Sequence, residues 1–234
     1  MVEFIGLIYS LVLGAVITSF TNVVGLRVPR QQSIVTPRSH CPSCGHVLSA
    51  WELIPVFGYV FLRGKCRGCG GRIAPTYPLF ELLGAVGYAY SFWLYGFSLT
   101  TLLAFVFLST LLALAMSDLS TMLVPNVILL FTAPVLLLLA YGAGVAWWSP
   151  IAGAALGFSV LATVFVVSKG GLGAGDVKLF TVIGLVLGPR DVLVALFLSS
   201  LIGAVVGLTL IGLKRMDRKQ PIPFVPSIAL GTML

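Results

Sequence analysis

The sequence predicts an all-α polytopic membrane protein, a bundle of about seven to eight transmembrane helices with a small cytoplasmic zinc-ribbon-like domain between the first two. Three observations predict it. Hydrophobic residues make up 59% of the 234 and charged residues only 9%, with a mean hydropathy of +1.09, far from the makeup of a soluble domain. Apolar runs of roughly 17 to 25 residues recur along the chain, the length a helix needs to cross a ~30 Å hydrocarbon core. All four cysteines fall in one polar segment between the first two runs.

The first run, Phe4 to Leu26, lacks a basic leader and follows Glu3, so it reads as a retained helix and not as a cleaved secretory signal. The remaining spans read as 78 to 97, 99 to 117, 124 to 141, 147 to 168, 177 to 188 and 191 to 213. Gly96, the stretch from Gly142 to Gly144, and Gly188-Pro189-Arg190-Asp191 punctuate them with turn chemistry. After Pro223 only about eleven apolar residues follow, fewer than a crossing helix requires. The domain reading is therefore 1–26 as first helix, 27–77 as cytoplasmic insert and 78–234 as the main membrane domain. The span 177 to 188 reaches only ~18 Å at ~1.5 Å per residue. Its start is expected below the membrane surface, with Gly170 to Gly175 lining a wet cavity that holds Asp176, and with Asp176 as a candidate N-cap of a helix from Val177.

The net charge of +7 raises the question of nucleic acid, but its placement answers differently. Seven basic residues lie between Arg27 and Arg72, Lys169 and Lys178 flank the glycine-rich stretch, and Lys214, Arg215, Arg218 and Lys219 follow the last long span. Alternate spans put all of these on one side, leaving only Arg190 on the other, and the positive-inside rule makes that side cytoplasmic. The lipid bilayer explains the charge, and no direct nucleic-acid partner is expected.

Cys41-Pro-Ser-Cys44-Gly and Cys66-Arg-Gly-Cys69-Gly are two C-x-x-C knuckles about 21 residues apart, a spacing that lets four thiolates close a tetrahedron around zinc. Redox chemistry is the rival reading, disfavoured by a cytoplasmic setting. Four cysteine ligands leave no open position, so the zinc is structural: it staples a domain too small to bury much core. Lys65 and Arg67 offset the site's negative charge. His40 and His46 read as solvated loop residues, Glu52 as a solvated acid of the same loop and Glu81 as an interfacial cap.

Among seven acidic residues, Asp118 and Asp176 each end or begin an apolar span on the cytoplasmic side, where charge is costly. Singly, each is explained as a helix-end residue. Together, two carboxylates at one depth in one bundle are what aspartyl hydrolysis needs: the pair shares a proton, one member activating water and the other protonating the peptide. Gly173 and Gly175 leave bare backbone for an extended peptide, and Lys178 is placed to orient the acidic group or substrate. No Ser/His/Asp set, H-E-x-x-H or phosphate loop is present.

Gly173-Ala-Gly175-Asp176-Val-Lys178, with Asp118 seven residues before Pro125-Asn126, resembles the prepilin peptidases (type IV leader peptidases), whose signature is G-x-G-D. Ser19-Phe20-Thr21-Asn22 with Arg27 and Pro29-Arg30, Leu53-Ile54-Pro55, Tyr77-Pro78 with Glu81-Leu82-Leu83, and Pro223-Phe224 extend the resemblance over nearly the whole length. Thr18 stands where the family commonly has glycine. The resemblance implies that Asp118 and Asp176 are the catalytic pair of an enzyme of the cell (inner) membrane. Its substrates would be prepilin or pseudopilin precursors, for pili, secretion or competence, cut after a short basic leader. The cysteine domain is similar to that of the bifunctional members, which implies S-adenosylmethionine-dependent N-methylation of the new amino terminus with 27–77 as the methyltransferase part. The alternatives are another G-x-G-D protease, such as a preflagellin peptidase, or a proton-coupled membrane transporter or assembly subunit in which the acids carry protons.

Overall fold

The structure is a computed structural model that describes residues 1–168, 173–213 and 222–233. The chain divides into two compact units, Met1–Ala113 and Leu114–Leu234. Its described helices are α1 (Val2–Arg27), α2 (Phe57–Phe61), α3 (Thr76–Tyr95), α4 (Leu99–Thr121), α5 (Asn126–Gly142), α6 (Trp148–Val167), α7 (Ala174–Gly212) and α8 (Val225–Met233), and the described residues form no strand longer than an isolated bridge. Four of them, α1, α4, α6 and α7, are long and apolar enough to cross a membrane, and α5 is a shorter apolar helix. Their outward faces are apolar too: Leu130, Phe131 and Leu138 on α5 and Val166 and Val167 on α6 are exposed. Water would penalise such faces and lipid does not. This is a multi-pass membrane protein.

In the first unit α1 packs along α3. The contact follows from a row of small and polar residues four positions apart, Gly6, Ser10, Gly14, Thr18 and Asn22, all buried on α1. Lipid is as apolar as leucine, so helices in a membrane gain little from burying large apolar side chains against each other. They gain from close van der Waals contact, which small residues permit. A Cβ on Gly14 would stand 2.6 Å from the Gly84 carbonyl, and one on Gly84 would strike the Thr18 hydroxyl. Tyr88 of α3 stacks on Phe105 of α4 at 4.0 Å between centroids.

In the second unit α7 is the hub, packed by α5, α6 and α8. Gly153 and Gly157 of α6 meet the α7 backbone at Gly184 and Phe180. The two expected spans 177 to 188 and 191 to 213 are the two arms of α7, joined across a kink at Gly188, whose φ of 79° and ψ of −178° interrupt the helix before Pro189. The punctuation expected at Gly188-Pro189 is thus a bend inside one long element. The lower arm also begins earlier than the sequence suggested. It starts at Ala174 with Gly173 as N-cap, so Asp176 sits in the first turn of the helix and does not cap it. Of the stretch expected to be irregular, Gly173 is extended, Ala174 and Gly175 are helical, and Gly170, Gly171 and Leu172 lie outside the described residues.

Candidate active site and metal centre

The cysteine loop contains two copies of one small structure. In each, the first cysteine's N–H donates to the carbonyl five residues on (Cys41 to His46, Cys66 to Gly71, 2.9 and 2.8 Å), and the glycine after the second cysteine donates back to the first cysteine's carbonyl. Bridges His40–Val47 and Lys65–Arg72 close each knuckle. Gly45 and Gly70 take φ of 72° and 70°, left-handed backbone that glycine enters without strain, which is why glycine follows each C-x-x-C.

The knuckles bring all four sulfurs within 4.8 Å of one another, with Sγ···Sγ separations of 3.9 Å for Cys41–Cys69 and for Cys44–Cys66. Backbone N–H groups of Ser43 and Cys44 hold the Cys41 thiol down to about 6. The His46 amide lowers Cys44 too, yet burial and the hydrogen bonds with the other three thiols push it up to about 12. Four sulfurs so close cannot all ionise unless a cation neutralises them, and a metal ion is what the arrangement can hold. Arg67 lies 5.4 Å over the Trp51 ring beside this cluster.

Glu52 and His46 correct the sequence reading. Glu52 is buried, not solvated: its Oε2 accepts from the Ser49 N–H at 2.8 Å and from the Ser49 hydroxyl, and His46 Nε2 lies 3.3 Å away. Those Ser49 hydrogen bonds, with His46 adding to them, hold its carboxyl below the usual carboxylate range. Glu81 is buried as well and accepts the Val56 N–H at 2.7 Å, where the sequence suggested an interfacial cap. His46 is therefore a partner of Glu52, while His40 is an exposed loop residue.

Asp118 and Asp176 are the buried aspartates among the described residues, at 7% and 8% exposure. Asp118 occupies the last turn of α4. The turn is closed by the Met122 N–H donating to the Asp118 carbonyl at 2.8 Å and by the Ser117 hydroxyl donating to the Leu123 carbonyl at 2.7 Å. Pro125 then sets up α5. The Asp118 Oδ2 accepts the Val225 N–H at 2.9 Å, from the first residue of α8, a contact no sequence pattern announced. Helix starts carry unpaired N–H groups, and a carboxylate there is favourable.

Asp176 sits at another helix start, in the first turn of α7, with its carboxylate against the Gly173 backbone N–H and within Coulombic reach of Asp118. Around it the predicted neighbours divide. Gly173 is exposed, with the Asp176 Oδ2 only 3.1 Å from where a Cβ would stand. Gly175 faces Val124 in the α4–α5 connection, and a Cβ there would meet Val124 Cβ at 2.8 Å. Its bareness serves helix packing. Lys178 is exposed and donates to Asn126 Oδ1 at 3.0 Å, tying α7 to the start of α5 in place of the acidic contact expected. The arrangement brings two buried carboxylates together in one unit, each close to a helix start.

Comparison with known proteins agrees with this division. Residues 12–95 match the family described as bacterial peptidase A24 N-terminal domain, and residues 105–208 match the type IV leader peptidase family. A prepilin leader peptidase/N-methyltransferase of Bacillus subtilis is 41% identical over 95% of this chain and 90% of its own length. Proteins of the same name from Myxococcus xanthus and Pseudomonas aeruginosa are 39% and 32% identical, over 87% and 95% of this chain and 63% and 87% of theirs. No solved structure matches.

Proposed function

Since this chain belongs to the type IV leader peptidase family, we propose that it removes the short basic leader of prepilin or pseudopilin precursors at the cytoplasmic face of the cell membrane and methylates the new amino terminus. The observation that carries the peptidase half is the pairing of Asp118 and Asp176 as the buried aspartates of one unit. One carboxylate, ionised, takes a proton from water as that water attacks the scissile carbonyl. Its partner, protonated, hydrogen-bonds the carbonyl oxygen and later passes its proton to the leaving amine. The Val225 N–H on Asp118 fixes that carboxylate's orientation and marks one oxygen as the acceptor-only side. Gly173, exposed beside Asp176, offers backbone to an extended substrate, while Lys178 and Gly175 hold the helix start that presents Asp176.

Orientation follows from charge. The basic residues cluster in loops that alternate spans place on one side, and a precursor with a basic leader before an apolar helix keeps its leader on that same side. The junction then meets the aspartates at the cytoplasmic interface.

Cys41, Cys44, Cys66 and Cys69 would hold a structural zinc. Zn–S bonds of ~2.3 Å in a tetrahedron put sulfurs about 3.8 Å apart, and the pairs here stand at 3.9 Å. Four thiolates would fill a tetrahedral zinc's positions, so the ion would shape the loop and leave no open site for chemistry. The purified protein is expected to carry one zinc per chain, with Cys44→Ser losing it and opening the loop to proteolysis while the second unit stays folded. Elemental analysis and limited proteolysis check this. Acid should release the metal, since protons compete for the thiolates. Glu52 acts in the same direction: its lowered pKa makes its contribution present at neutral pH and lost as pH falls through its folded-state value. Retention of zinc by the serine variant, or in acid, would contradict the assignment.

The activity is tested by incubating the protein, in detergent, with a pilin-like precursor and weighing the product. Loss of the leader gives the peptidase, and a further methyl mass with S-adenosylmethionine present gives the methyltransferase. An intact precursor would remove the reading and leave the transporter alternative.

A further inference from the structure

The cysteine loop of the first unit carries one helix, α2, whose five residues are too few to cross a bilayer. Its inward side is set by Gly58, buried so close to the Glu52 carbonyl that a Cβ there would overlap it. Phe57, Val60 and Phe61, spaced i, i+3 and i+4, share another face and are 61%, 61% and 71% exposed. The Phe57 and Phe61 rings stack at 6.3 Å between centroids, which makes that face continuous. Trp51 adds a further exposed ring in the same loop. Aromatic surface of this kind on an otherwise polar loop marks a place of contact.

Position and charge say what covers it. Val56, the N-cap of α2, takes φ of 62°, left-handed backbone that a β-branched residue enters only under strain, and its N–H donates to Glu81 Oε2 at 2.7 Å. That bond ties the start of α2 to the second turn of α3, about 7.5 Å along the axis from Thr76 at ~1.5 Å per residue. Leu79, Leu82 and Val86 of α3 are exposed, as lipid-facing residues are, and α3 packs along the crossing helix α1. The face of α2 thus begins level with the edge of the lipid-covered surface. Arg63, Lys65 and Arg67 follow α2 at once and are exposed. Glu52 is the only acid in residues 27–77, and it is buried against Ser49. The outer surface of this loop therefore carries cations and no carboxylate.

We propose that α2 docks on the bilayer surface, with Phe57, Val60 and Phe61 entering the boundary between headgroups and acyl chains while Arg63, Lys65 and Arg67 meet anionic phosphates. Charge decides between occupants. A second copy of this chain would bring the same cations, and the precursor proposed above brings a basic leader, so both meet repulsion where anionic lipid meets attraction. The cysteine loop is then held to the membrane at its middle as well as at its two ends, where α1 and α3 enter. Docking of this kind needs no substrate and neither reaction.

The test uses the full chain in lipid nanodiscs. Phe57→Trp and Phe61→Trp each add one indole to the four native ones, and its contribution is the difference from wild type. The discs hold phosphatidylcholine with or without phosphatidylglycerol, and their acyl chains are brominated either near the headgroup or near the methyl end. The added indole is expected to lose about half or more of its emission to the shallow bromine and less to the deep one, as an interfacial depth requires. Phosphatidylglycerol should increase the shallow quenching. Arg63→Asn, at a position with φ of 50° that asparagine accepts, should reduce that gain. An added indole that neither bromine quenches, in either lipid, overturns the proposal. Shallow quenching that ignores phosphatidylglycerol overturns the part given to the basic residues. Shielding from a water-soluble quencher that appears only on adding precursor, or only in discs holding two copies, overturns it in favour of those occupants. Cleavage and methylation enter none of these readouts, so the docking and the proposed function fail separately.

Discussion

Asp118→Asn and Asp176→Asn are each expected to abolish precursor cleavage, by about 10³-fold or more, with the protein still inserted and its zinc content unchanged. Asparagine keeps the shape of aspartate, and at 118 its carbonyl oxygen can still accept the Val225 N–H, so packing survives. What is lost is the shared proton. A neutral amide neither takes a proton from water nor delivers one to the leaving amine, and either loss stops the same step. The double variant should therefore be no worse than either single one, because residues that act as a unit are not additive. Cleavage by size shift on a gel and zinc per chain are the measurements. Normal cutting by either variant would return that aspartate to a helix-end role.

Gly175→Ala is expected to reduce cleavage by about tenfold or more without touching a titratable group. Its added methyl would stand 2.8 Å from Val124 Cβ, closer than packed carbons approach. Val124 lies on the connection that leads from Asp118 to α5, and Gly175 adjoins Asp176, so the strain falls between the two carboxylates. Ångström displacements of a catalytic group are expensive in rate. The compensating change identifies the cause: Val124→Gly in the Gly175→Ala background removes the opposing Cβ and should recover much of the rate. If the double variant stays as slow as the single one, Gly175 acts on the substrate and not on packing.

Much of this was legible in the sequence for physical reasons. Hydrocarbon demands long apolar helices, so their order appears in hydropathy, and two C-x-x-C-G knuckles appear because thiolate geometry and a left-handed turn each restrict the residue. The row Gly6, Ser10, Gly14, Thr18 and Asn22 was equally available as a helix-packing signal, though its partner α3 was not. Other features were hidden. Glu52 and Glu81 look like surface acids until Ser49, His46 and Val56 are seen to satisfy them. Lys178 looks like a partner for an acid until Asn126 is found beside it.

The residue types at Asp118, Asp176 and the four cysteines, and the apolar spans that carry them, are properties of local sequence: cost of charge in lipid, reach of a thiolate, length of a helix. Tertiary structure alone decided that Val225 holds Asp118, that Val124 occupies the space Gly175 leaves, and that the Val56 N–H meets Glu81. Each of these joins atoms on elements far apart in the chain. Periodicity and spacing describe one element at a time, and only the packing of one against another determines which donor meets which acceptor.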